Sequence, residues 1–220
     1  MHKMYNHFKT TVLLLLLISG LKSTAQVSSY NFTELAGTYT ALGGGATTVF
    51  TSTDNDKTAN LTIPFTFTYS GTGYTNCRIT TNGFLTLGTN PSASEYYPIS
   101  GTGTAIATSI SALGADLNST LKYQTLGTSP NRIFVAEWSD VDRYDISGSE
   151  DLEFQIKLYE TTNVIEIQYG TMTTSNTVFT DGSSEVGLRS NTSVYNNVTF
   201  TNSTLSGYPY TNNWNSLVNG

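Results

Sequence analysis

Apolar and polar side chains alternate between Leu61 and Tyr69: Leu61, Ile63, Phe65, Phe67 and Tyr69 fall on one side of an extended chain, Thr62, Thr66 and Thr68 on the other. Side chains on a strand repeat every two residues, so the pattern predicts a half-buried strand. Cys77 to Thr81 and Phe84 to Gly88 read as two further strands around Asn82-Gly83, a dipeptide that tolerates the paired positive φ angles of a type I′ hairpin turn. Arg132 to Val141 predicts a strand with Phe134, Ala136 and Trp138 on one face and Ile133, Val135, Glu137 and Ser139 on the other. Apolar residues on both faces imply that its first half is covered on both sides. Leu152 to Tyr159 turns Leu152, Phe154, Ile156 and Leu158 inward and Glu153, Gln155 and Lys157 outward. Thr161-Thr162-Asn163 then leads into Val164 to Gly170, where Ile165, Ile167 and Tyr169 oppose Glu166 and Gln168. These two segments predict a hairpin.

The remaining segments are weaker. Asn31 to Ala41 reads as an opening edge strand ended by Gly43-Gly44-Gly45, and Thr48-Val49-Phe50 is too short to assign. Thr53 to Asn60 is a polar loop in which Asp54 and Asp56 lie close together, either a turn held by its own Asp and Asn side chains or part of a calcium site. Thr89 to Thr104 is rich in Pro, Ser and Gly and predicts a long surface loop carrying Tyr96 and Tyr97. In Ala105 to Leu113 the Ser and Thr content favours a strand over a helix. Thr120 to Thr125, Ser184 to Arg189 and Val194 to Phe200 complete the strands, ahead of an Asn- and Ser-rich tail that includes Trp214. About ten short strands separated by turn residues, without a convincing long helix, predict an all-β fold: an antiparallel two-sheet β-sandwich of jelly-roll kind. No fixed-period repeat is present.

The first residues stand apart from this pattern. Lys3, His7 and Lys9 precede the apolar block Val12 to Ile18, and Lys22-Ser23-Thr24-Ala25 offers small residues for cleavage, the three-part layout of a secretory signal peptide over residues 1–25. The block is well short of the ~20 residues that span a bilayer, and no later run is long enough, so no membrane insertion is expected after the signal is removed. Residues 26–220 then form one β-sandwich domain, the size suiting a single core. Loss of the signal takes three lysines with it, moving the formal charge from −6 to −9. So acidic a chain argues against nucleic acid and anionic membrane as partners. Both histidines, His2 and His7, lie in the same segment, which removes His bases and His-ligated metals from the mature chemistry. The single cysteine, Cys77, forms no internal disulfide and reads as a small buried apolar residue.

Candidate chemistry centres on Glu137-Trp138-Ser139-Asp140-Val141-Asp142. Continued alternation places Asp140 and Asp142 on the face of Trp138, the layout of a carboxylate pair beside a sugar-stacking indole. The segment lacks the alternating Glu-x-Asp-x-Glu of laminarinase-type sandwiches, so catalysis is the lesser reading. Asp140, Asp142, Asp145, Glu150 and Asp151 crowd enough carboxylates into one stretch for calcium, or else form a solvated acidic loop. Tyr96 and Tyr97, with Trp138, are the candidate ligand-binding aromatics, because loops on a rigid sandwich carry recognition. Six Asn-x-Ser/Thr triplets, at Asn31, Asn60, Asn118, Asn191, Asn197 and Asn202, would accept glycans in a eukaryotic secreted chain.

The series IPFTFTYSGTGYTNCRITTNGFLTLG, AIATSISALGADL, NRIFVAEWSDV, LEFQIKLYETTNVIEIQYG and SEVGLRS, from Leu61 to Arg189, resembles the nidogen-type extracellular domain. It is closest to the bacterial form found at the front of proteins exported by the type IX route. The Pro and aromatic that precede Ala-Asp-Leu in that pattern are replaced around Ser109 and Leu113. The resemblance implies a non-catalytic adhesion or matrix module at the cell surface or outside it, joined to further domains and binding an extracellular glycan or protein. A carbohydrate-active enzyme using Asp140 and Asp142, and a purely structural secreted domain, are the alternatives.

Overall fold

The structure, a computed structural model, describes Val27 and residues 30–51, 56–144, 150–173, 184–192, 195–198 and 210–216. Residues 1–25, which read as a signal peptide, lie outside these residues. Among the described residues the strands are β1 (Tyr30–Ala36), β2 (Thr47–Phe50), β3 (Thr58–Tyr69), β4 (Thr72–Thr80), β5 (Phe84–Leu87), β6 (Ser109–Gly114), β7 (Leu117–Leu126), β8 (Ile133–Arg143), β9 (Asp151–Tyr159), β10 (Ile165–Thr173), β11 (Glu185–Arg189), β12 (Tyr195–Val198) and β13 (Tyr210–Ser216). One sheet has the order β1-β13-β10-β9-β8-β7-β2 and the other β12-β11-β6-β5-β4-β3, with antiparallel neighbours. The all-β sandwich that the alternation predicts is the fold. No helix among the described residues is long and apolar enough to cross a membrane.

The core fills the space between the sheets. Leu61, Ile63, Phe65, Phe67 and Tyr69 of β3 are all buried, and face Phe134, Ala136, Trp138, Phe154, Ile156, Leu158, Ile165 and Ile167 from the other sheet. Each large side chain withdrawn from water in this way contributes about 2 kcal/mol. Pro64 points outward on β3, a sheet edge, where its missing N–H costs no internal ladder bond. Around it β3 carries extra residues, for Thr62 pairs with Asn76 while Phe67 already pairs with Tyr74.

Four expectations need correction. The Asn82-Gly83 turn is not type I′: Gly83 alone has positive φ, at 78°, because Asn82 is held by its side chain. The strand expected from Ala105 begins at Ser109, after a run of turns. The polar tail contributes β13, which sits between β1 and β10. Finally, Glu137, Gln155 and Gln168 lie on the face turned away from the core yet are 0%, 1% and 4% exposed. They are covered because the connection from β1 to β2 crosses that outer face from one edge of the sheet to the other.

Candidate binding surface

The loop from Thr89 to Thr104 is fixed to the sandwich by three buried or half-buried side chains. Asn82, fully buried at the tip of the β4–β5 hairpin, donates its amide to the carbonyls of Ala93 at 2.9 Å and Glu95 at 3.4 Å, and accepts the Leu117 N–H at 3.1 Å. Glu185 at the start of β11 accepts the N–H groups of Ile99 at 2.7 Å and Ser100 at 3.2 Å. Arg189 at the end of β11, 1% exposed, donates to the carbonyls of Ile99, Gly101, Asn191 and Thr192. A guanidinium with carbonyl partners on several sides survives burial because its donors are met. The loop backbone is therefore preorganised.

Tyr96 and Tyr97 sit on this frame in different ways. Tyr97 is 51% exposed, and its N–H donates to its neighbour Glu95 at 3.0 Å. The Tyr96 hydroxyl donates to the carboxylate of Asp56 at 3.1 and 3.2 Å, and Asn82 also reaches Asp56 at 3.3 Å. Burial, then the hydrogen bond to Asp56 and the nearby charge of Asp116, pushes the Tyr96 phenol up to about 12. Tyr144, 55% exposed at the end of β8, donates its N–H to the Asp116 carbonyl at 3.0 Å. That link brings a third tyrosine to the same end of the sandwich. Only its position, a Tyr inside the acidic run, marks it in the sequence.

The acidic stretch departs from the layout that alternation predicts. Trp138 pairs with Phe154 and Val141 with Leu152, while Thr120 pairs with Ser139 and Asn118 with Asp142. β8 thus carries one extra residue against both neighbours, at Asp140, whose φ is 51°. A bulge of this kind reverses which way the following residues point. Val141 turns into the core, and Asp140 and Asp142 turn to solvent, away from Trp138. The stacking surface expected at Trp138 does not exist: the indole is fully buried, stacked on Phe154 with ring centroids 5.2 Å apart, and donates to the Thr80 carbonyl at 2.8 Å.

Nor do the candidate calcium ligands among the described residues, Asp140, Asp142, Glu150 and Asp151, gather as a set. Glu150 forms a buried ion pair with Arg143, with a 3.0 Å contact, and its N–H donates to Asp142 at 3.2 Å. Asp151 is exposed on β9 opposite Thr173. Asp145 lies outside the described residues, as does Asp54 of the other acidic loop. Among the described residues no three His, Cys, Asp or Glu side chains gather as metal ligands. Cys77 is 1% exposed, and burial pushes its thiol up to about 12, the opposite of an activated thiolate.

The family model described as "NIDO related" matches residues 29–219. The chain belongs to that family. The match extends beyond Leu61 to Arg189 and takes in both β1 and β13. Membership makes this NIDO-related chain an extracellular type of module, in agreement with the nidogen-type resemblance of its motifs. No curated protein and no solved structure matches it.

Proposed function

We propose that this NIDO-related chain is a secreted, non-catalytic binding or adhesion module that contacts an extracellular glycan or protein through the loop from Thr89 to Thr104. Tyr97 is the anchor, flanked by Tyr96 and Tyr144. The observation that carries the reading is the half-exposed Tyr97 ring on a backbone held by Asn82, Glu185 and Arg189. A large aromatic held in place contributes contact area while losing little entropy on binding. A plain connecting loop would not require such anchoring. The hydrolase alternative is weakened by the separation of Asp140 and Asp142 from Trp138.

The test is a glycan array and a matrix-adhesion assay with the wild type, Tyr97→Ala and Tyr144→Ala. Both variants are expected to melt within a few degrees of the wild type, because their side chains are exposed, and to lose most of the binding. Undiminished binding by Tyr97→Ala would remove the loop from the reading.

A further inference from the structure

Glu137 of β8 is fully buried beneath the connection from β1 to β2, and its two carboxylate oxygens have very different surroundings. Oε2 accepts three hydrogen bonds: from the Leu42 N–H at 2.7 Å, the Gln155 amide at 2.6 Å and the Tyr39 hydroxyl at 3.2 Å. Oε1 is buried as well, and among the described residues no donor bonds to it. Lys122 of β7 is paired directly with Glu137 across the sheet, and its ammonium stands 3.9 Å from Oε1, beyond hydrogen-bond reach. A buried carboxylate oxygen without a donor bears the full cost of its lost hydration and calls for a reason.

We infer that Lys122 and Glu137 are a self-modification site, which closes once the chain has folded into an amide between Lys122 Nζ and Glu137 Cδ, releasing water. In the product Oε1 is gone, and Oε2 becomes the carbonyl oxygen with its three donors in place. Surroundings that are lopsided for a carboxylate are complete for an amide. Closure also removes a buried charge together with its distant partner. The step needs no co-reactant. Lys122 passes one proton to Oε1, leaving a neutral amine and a neutral acid. Nζ attacks Cδ, and negative charge gathers on Oε2, where donors already point, the arrangement that stabilises an acyl-transfer intermediate. A second proton moves from nitrogen to Oε1, the Cδ–Oε1 bond breaks and water departs. Ammonium plus carboxylate thus gives amide plus water, with net charge unchanged. Strand pairing holds the two groups side by side, and well-oriented intramolecular reactants reach effective concentrations on the order of 10⁵ M. Residues 38–42 cover Glu137 from solvent, while Lys122 keeps 29% of its side chain exposed, so its flexible stem is free to advance onto the acyl carbon. The reaction happens once per chain and is not turnover.

The experiment is intact mass spectrometry of the purified wild-type chain and of Lys122→Arg, followed by tryptic mapping. The wild type is expected to be one water lighter than the sequence between its mapped ends. Lys122→Arg keeps the positive charge but lacks the amine, and is expected at its full sequence mass. In the wild type trypsin should leave the chain uncut after Lys122, with that peptide still joined to residues 133–143, which carry Glu137. A wild-type chain at full sequence mass overturns the inference. So does a water loss that persists in Lys122→Arg, or a wild-type chain cut freely after Lys122. The wild-type mass and map decide the matter even if Lys122→Arg fails to fold.

Discussion

Asn82→Ala tests how the binding loop is held. The substitution deletes a fully buried amide whose closest bonds are to the Ala93 carbonyl, at 2.9 Å, and from the Leu117 N–H, at 3.1 Å. Each bond contributes about 1 kcal/mol net, and a buried Leu117 N–H left without a partner adds a desolvation cost of similar size, so the loss sums to about 3 kcal/mol. For a chain of this length that corresponds to a fall in Tm of about 6–12 °C. The loss should also be local. In hydrogen exchange, the amides of Tyr97 and Gly101 should open more readily than in the wild type by more than the global destabilisation, because the loop loses one of its three ties. Asn82→Asp keeps the acceptor for Leu117 but sets a carboxylate against Asp56 and the two loop carbonyls, and should be at least as damaging at neutral pH. A loss below about 1 kcal/mol for Asn82→Ala would refute the assignment of Asn82 as the tie, as would loop amides that open only as much as the rest of the sandwich.

Gly83→Ala should yield little folded protein, judged by the circular dichroism of the soluble fraction. Its φ is 78° and the new Cβ would stand 2.1 Å from the Leu113 carbonyl oxygen, a conflict expected to exceed about 3 kcal/mol. Glu150→Ala strands a buried Arg143 charge and should lower stability in urea by about 3–5 kcal/mol, whereas Asp151→Ala, on an exposed carboxylate, should be nearly neutral. At alkaline pH the unfolded chain ionises Cys77 near 9.0 and Tyr96 near 10.0, while the folded chain holds both protons to about 12. The stability that these two protons contribute is thus complete below about pH 9 and is lost as the pH rises toward 12. For Cys77 the loss is of the order of 4 kcal/mol, and a Cys77→Val variant should show a shallower alkaline decline.

Strands are readable where two layers of burial leave a two-residue beat. Leu61 to Tyr69 shows it, and so does the β9–β10 hairpin, where Leu152, Phe154, Ile156 and Leu158 face Ile165 and Ile167 in the core. β13 has no such beat. Its sequence, Tyr-Thr-Asn-Asn-Trp-Asn-Ser, enters the sheet by backbone pairing with β1 on one side and β10 on the other. Gln155 and Gln168 kept the beat but misled about solvent, because periodicity reports which face a residue takes and says nothing of what covers it. The cover, Thr38 to Leu42, overlaps the end of the segment Asn31 to Ala41 that reads as an edge strand, whereas β1 ends at Ala36 and the residues after it cross the sheet instead.

The site was harder to read for a related reason. A single added residue at Asp140 reverses the facing of everything after it, and bulges leave no compositional mark beyond a residue that tolerates positive φ. Two carboxylates drawn beside Trp138 by strict alternation thus stand on the opposite side of the sheet from it. Tyr97 needed no such extrapolation, since a Pro-, Ser- and Gly-rich run already places it on a surface loop. What composition could not supply was the rigidity of that loop, which comes from Asn82, Glu185 and Arg189, residues between 11 and 90 positions away from the loop atoms they hold. The turn and the short strand that carry them look like ordinary scaffold in the sequence. Their polar groups are aimed at loop carbonyls and amides instead of at solvent, and this is what separates a presenting surface from a mere connection.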